Sequence, residues 1–109
     1  MPGAKLIVMY PLPKNPEQFE KVYHNEHVPM AVEKLSGKTK IVATKILGLG
    51  AGPSEFHRIA EIHFPSIEIL KACAASQGGR QVLENAIAIS TGGEPVILIA
   101  EEETFNFGR

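Results

Sequence analysis

Ala4-Lys5-Leu6-Ile7-Val8-Met9-Tyr10-Pro11 is the stretch on which the fold turns. It reads as a β-strand closed by Pro11 and Pro13, and it is apolar on both sides. Leu6, Val8 and Tyr10 point one way and Ile7 and Met9 the other, because side chains alternate along a strand. Near the far end of the chain, Val96-Ile97-Leu98-Ile99-Ala100 repeats the pattern. Helices laid on one face of an antiparallel sheet account for one set of these side chains. The other set forms an apolar patch larger than a soluble monomer normally exposes. A second copy packed face to face about a two-fold axis removes it. The expected state is therefore a homodimer whose paired sheets enclose an apolar pocket. Folding of the last helix or a loop over the second face is the alternative, although the connecting segments are short.

The segments between these two strands complete a βαββαβ order. Asn15-Pro16-Glu17-Gln18 opens a helix, with Asn15 as cap and Pro16 at the first helical position. Phe19, Val22, Tyr23 and His27 recur at spacings of three and four and share a face. Pro29 interrupts that pattern, and a short continuation through Met30, Ala31 and Leu35 ends at Gly37. Lys38 to Gly48 is the second strand, Gly48 to Ser54 a glycine- and proline-rich turn, and Phe56 to Phe64 the third strand. Ser66 caps the next helix, and Gln77-Gly78-Gly79 breaks it. Arg80 to Ser90 forms a further helix, with Val82, Leu83, Ala86 and Ile87 buried. Gly92-Gly93 ends it, and Pro95 to Glu102 is the last strand. The expected fold is α+β, a ferredoxin-like single domain over residues 1–109 with a four-stranded antiparallel sheet.

Composition narrows the partners. The chain is 44% hydrophobic and 21% charged with a formal net charge of −1, a balance without the basic footprint of a nucleic-acid binder or anionic-membrane binder. No apolar run reaches the ~20 residues of a membrane span, and the N-terminus lacks the pattern of a secretory signal. Cys73 is the single cysteine, set among Ile69, Leu70 and Ala74 as a small core residue. It fits a reducing, cytoplasmic setting.

Four histidines bear on chemistry. His24 and His27 lie three apart with Glu26 between them, not the four-residue spacing of zinc proteases, and no third ligand is evident. No metal is expected. His27 extends the Phe19–Tyr23 row towards the sheet, and an imidazole beside a tyrosine hydroxyl suits general acid–base work near neutral pH. A buried histidine bonded to a backbone carbonyl is the structural alternative. Glu61 and His63 share one face of the third strand with Ile59, and His57 is a further candidate for that face. They line a pocket, or Glu61 pairs with Lys45 or Arg58 at a sheet margin. Tyr10 is a further candidate lining residue. Phosphate-loop, Gly-x-Ser-x-Gly and RNA-recognition signatures are missing from the sequence.

The first strand, Phe19, Tyr23-His24-Asn25-Glu26-His27-Val28-Pro29, the run Arg58 to Phe64 and Ser90-Thr91-Gly92-Gly93 resemble the EthD family, named for ethyl tert-butyl ether degradation. The most specific part is Tyr23, His27 and Pro29. The resemblance implies a dimeric α+β barrel, a group that includes cofactor-free monooxygenases, polyketide cyclases and decarboxylases, muconolactone isomerases and haem-degrading enzymes. Where the family carries an aspartate this chain has Asn85, and where an aromatic follows it has Ile89. The expectation is a small-molecule catabolic enzyme without a cofactor, oxygenase-like or lyase- or isomerase-like, acting on an apolar molecule. His27 would be the acid or base, Tyr23 would bond a substrate oxygen, and Tyr10, Glu61 and His63 would bind substrate. A non-catalytic accessory or ligand-binding protein is the other expectation. Haem handling is disfavoured, since there is no tryptophan and only His27 and His63 could be axial ligands.

Overall fold

A computed structural model describes residues 3–50 and 52–108. Strands β1 (Gly3–Pro11), β2 (Lys40–Lys45), β3 (Phe56–Phe64) and β4 (Val96–Glu102) form one antiparallel sheet in the order β2-β3-β1-β4. Helices α1 (Pro16–Val22) and α2 (Val28–Lys34) join β1 to β2, and α3 (Ile67–Ala75) and α4 (Gln77–Ile89) join β3 to β4. This is the ferredoxin-like βαββαβ arrangement. Ala51, in the expected β2–β3 turn, lies outside the described residues.

The two faces of the sheet differ as the alternation in β1 demands. Ala4, Leu6, Val8 and Tyr10 are buried under the helices, with Ala60, Ile62 and Phe64 beside them on β3. Ile7 and Met9 lie on the face without helices, level with Leu98 and Val96 of β4. Strand β4 is an edge strand, and Val96, Ile97, Leu98 and Ile99 are all exposed. β2, the other edge, is shorter than expected, six residues instead of the run from Lys38 to Gly48.

The first helical layer departs from expectation in a useful way. Tyr23–His27 is a single π-helical turn between α1 and α2, closed by a bond from the Val28 N–H to the Tyr23 carbonyl. Pro29 has no N–H to give Asn25, and its ring crowds that carbonyl, so the chain widens there rather than breaking. The widening keeps Phe19, Tyr23, His27, Ala31 and Leu35 buried on one side. In an unbroken α-helix, residues four apart overshoot a full turn by about 40° each time and would wander off the core.

The second layer also differs. The break falls at Ser76, which ends α3 and caps α4 by accepting from the Gly79 N–H at 3.0 Å. Gly78 and Gly79 open α4 instead of interrupting a helix, and a side chain on Gly79 would overlap the Cys73 carbonyl. Starting α4 at Gln77 leaves Val82 and Ala86 buried and Leu83 packed at the margin, whereas Ile87, expected inside, is 48% exposed. The caps at Asn15 and Ser66 form as read, each accepting a backbone N–H from three residues on.

Candidate functional site

β1, the π-turn and α4 converge on one cluster. Phe19, Tyr23 and His27 stack along the helix, Phe19 on Tyr23 at 5.5 Å between ring centres and Tyr23 on His27 at 5.8 Å. Tyr10 meets all three rings edge-on from β1, at 5.2, 5.7 and 6.2 Å. The His27 Nε2 lies 3.2 Å from the Tyr10 hydroxyl, and the His27 Nδ1 lies 2.7 Å from Oδ1 of Asn85 on α4. Both ring nitrogens thus bond side chains rather than a backbone carbonyl.

The donors and acceptors of this chain fix its polarity. Asn85 Oδ1 can only accept, so Nδ1–H of His27 donates to it and Nε2 keeps a lone pair, which accepts the Tyr10 proton. The opposite tautomer would turn the Tyr10 proton into the apolar interior without an acceptor, at a cost of about 1–3 kcal/mol. Burial holds His27 below the usual histidine range, opposed by its bond to Asn85. The imidazole is therefore neutral at pH 7. Burial also raises both phenols, Tyr10 strongly and Tyr23 with Arg58 opposing, so both stay protonated. The arrangement offers a neutral base flanked by hydroxyl donors.

Tyr10, Tyr23 and His27 edge an apolar cavity inside one chain, between sheet and helices. This cavity belongs to a single protomer. Its remaining walls include Leu6, Val8, Ile62, Val82 and Ala86, and it leaves about 20 Å³ for the centre of a water molecule, room for one water. Asn85 also faces an outer groove with Met30, Lys34 and Glu84, so the His27–Asn85 pair stands between cavity and solvent.

The expected site residues divide. Tyr10, Tyr23 and His27 come together, with Tyr10 rather than Tyr23 bonded to His27. Glu61 and His63 lie on the helix-free face, opposite Ile7 and Lys5 of β1, and do not reach this cavity. Glu61 pairs with Lys5 at 2.6 Å, not with Lys45 or Arg58, and His63 Nδ1 lies 3.2 Å from Glu102. The register slips between Tyr10 and Pro11 opposite Arg58 and Phe56. That bulge makes His57 an extra residue and turns it to the side of Arg58, under the helices and away from Glu61.

Arg58 and His57 there bind Glu20 of α1. Arg58 Nη2 lies 2.6 Å from Oε1 and its Nε 3.1 Å from Oε2, while His57 Nε2 lies 2.8 Å from Oε2. The Arg58 guanidinium beside it, followed by His57, outweighs desolvation and lowers the Glu20 carboxyl to about 2. Arg58 also stands 5.1 Å over the Tyr23 ring, so this knot backs one wall of the cavity. Sequence reasoning missed both Asn85 as the partner of His27 and the Glu20 knot. A departure from a family pattern was the only sign of the first, and nothing in the spacing joins Glu20 to Arg58. Among the described residues, no three histidine, cysteine or acidic side chains gather as metal ligands, and no helix is long and apolar enough to cross a membrane.

Comparison with known proteins agrees with this frame. An uncharacterised 11.0 kDa protein of the thcB–thcC intergenic region of Rhodococcus erythropolis is 25% identical over 100 residues, 92% of this chain and 95% of its own length. The crystal structure of an ethyl tert-butyl ether degradation (EthD) family protein from Bacillus halodurans superposes with a TM-score of 0.86 at 26% identity, covering 94% of this chain and all of that one. An EthD-like protein from Ralstonia eutropha gives 0.71 at 25%, over 93% of this chain and 92% of its own. The fold alone is shared with a hydroxynitrile lyase from Passiflora edulis, the cofactor-independent oxygenase SnoaB from Streptomyces nogalater and a dimeric protein from Bacteroides fragilis. The EthD domain matches residues 13–87, a span that holds the π-turn, the bulge and Asn85. The chain belongs to the EthD domain family.

Proposed function

We propose that this protein is a cofactor-independent enzyme of small-molecule catabolism that starts its reaction by proton transfer to His27. The observation that carries the reading is the Asn85–His27–Tyr10 chain, which leaves a neutral Nε2 at the edge of an apolar, water-poor cavity. A substrate entering there gives a proton from C–H or O–H to Nε2, and the electron pair stays on the substrate. Tyr10 or Tyr23 donates to the oxygen on which that charge develops, in a cavity whose low dielectric strengthens the bond. From the same carbanion or alkoxide an oxygenase-like, lyase-like or isomerase-like outcome follows. That a hydroxynitrile lyase and a cofactor-independent oxygenase share the fold is in keeping with this range, without choosing within it.

The working unit is a homodimer joined through the helix-free face. Ile7, Met9, Ile59, Val96 and Leu98 make that face apolar, and Lys5, Glu61, His63 and Glu102 give it a charged end. On this arrangement Glu61 and His63 serve assembly rather than substrate.

A panel of phenols, enolisable ketones and hydroxynitriles incubated with and without oxygen tests the reading. His27→Ala should abolish turnover of any active compound while the variant keeps its helical spectrum and its size in solution. Turnover that survives the change removes His27 from the mechanism. The apolar lining of the cavity supports one other reading, a protein that binds an apolar metabolite for another enzyme. That reading gains if compounds bind to the wild type, none reacts, and His27→Gln binds as well.

A further inference from the structure

We propose that Asn85 is the positioning residue that fixes His27 as an Nε2 acceptor, and that the cavity in consequence takes a neutral apolar molecule through a hydroxyl group. This rests on the site assigned above to His27. Nδ1 is committed to Asn85 at 2.7 Å, which leaves the ring a single acceptor position facing the cavity. Tyr10 is the donor that now fills it, at 3.2 Å.

A ligand that separates Tyr10 from His27 must satisfy both. It must donate to Nε2 and accept from the Tyr10 hydroxyl, and a hydroxyl group does both with one atom. A bare hydrocarbon does neither, and would leave the two groups unpaired in an apolar wall. A carboxylate accepts but cannot donate, and no lining residue carries a fixed charge to meet it. The nearest cation in the knot behind Tyr23, Arg58, is already held by both oxygens of Glu20. The cavity as it stands has room for about one water, enough for the hydroxyl alone. The apolar remainder of the ligand therefore enters by displacing the side chains that now fill the interior, Leu6, Val8, Ile62 and Val82.

Asn85 is what makes the selection possible. An aspartate in its place would keep Nδ1–H but supply a negative charge that stabilises the imidazolium, giving a site able to meet an anion. An alanine would release the ring to either tautomer.

The test reads the ring itself. Long-range proton–nitrogen spectra of the full-length chain, labelled at histidine, should show His27 protonated at Nδ1 and free at Nε2. Asn85→Ala should mix the two forms. Asn85→Asp, which keeps the shape of the side chain, should hold the Nδ1–H form and let His27 take up a second proton at higher pH. Phenol, toluene and benzoate are then titrated, with the His27 Nε2 resonance as readout. Phenol should bind at least about tenfold more tightly than either, the effect of one net hydrogen bond, and should lose that margin in Asn85→Ala. An Nε2–H ring in the wild type overturns the proposal, and so does phenol binding no better than toluene, or no binding of phenol. Neither readout needs turnover. Phenol binding to the expected tautomer without reaction in any assay would retire the catalytic reading and keep this one.

Discussion

Replacing Glu20 by Gln removes the one negative charge in the knot that ties α1 to the bulge of β3. Glu20 accepts from Arg58 through both oxygens and from His57 through one, and Arg58 is only 7% exposed. The lowering of its carboxyl from 4.5 to about 2 sets a ceiling of about 3 kcal/mol on the stabilisation at neutral pH. The Glu20 side chain is about a fifth open to water, so solvent screening brings the expected loss in Glu20→Gln to about 2 kcal/mol. The sign follows from the direction of the shift. A carboxyl lowered on folding contributes fully above its unfolded value and loses its contribution as pH falls towards the folded one. Urea unfolding of both proteins at pH 7 should therefore show the full gap. That gap should shrink between pH 4.5 and pH 2, as the wild-type carboxyl takes up its proton. A gap under about 0.5 kcal/mol at pH 7, or one that stays constant down to pH 2, would refute the account.

Three further outcomes are expected. Gly79→Ala drives a methyl into the Cys73 carbonyl at the α3–α4 corner, and a thermal melt should show a loss of more than about 2 kcal/mol. Leu98→Glu puts a charge in the middle of the helix-free face, and sedimentation should shift from a dimer to a species of 11.8 kDa. His27 is held below its ordinary 6.5 by burial, so the unfolded chain binds the proton first and stability falls as pH drops below that value. In His27→Gln that part of the slope should vanish from unfolding curves measured across it.

Much of this architecture could be read from the chain because each signal was local. The two-sided strands, the Asn15 and Ser66 caps and the glycine-rich turn name their conformations through the residues themselves. Tyr23 and His27 were legible for the same reason, being one helical turn apart. What stayed hidden depended on contacts between distant segments. Asn85 stands 58 residues from His27, and Glu20 stands 38 from Arg58. Period-two alternation placed Glu61 and His63 together correctly, but could not say which face the helices cover. It failed at His57, because a bulge adds a residue that no alternation announces. The Gly78–Gly79 pair misled because glycine marks close approach as well as breaks.

The two outer strands of the sheet are guarded unequally. β2 begins and ends with Lys40 and Lys45, which discourage another chain from adding to it. β4 has no charge from Val96 to Ala100, an apolar run in which Val96, Ile97, Leu98 and Ile99 are all exposed. Its wardens sit outside that run, Glu94 and Pro95 before it and Glu101, Glu102 and Glu103 after it. A protomer of the proposed dimer, once parted from its twin, would therefore carry a ready template for fibrillar stacking, and conditions that part the two copies should bring on aggregation before unfolding.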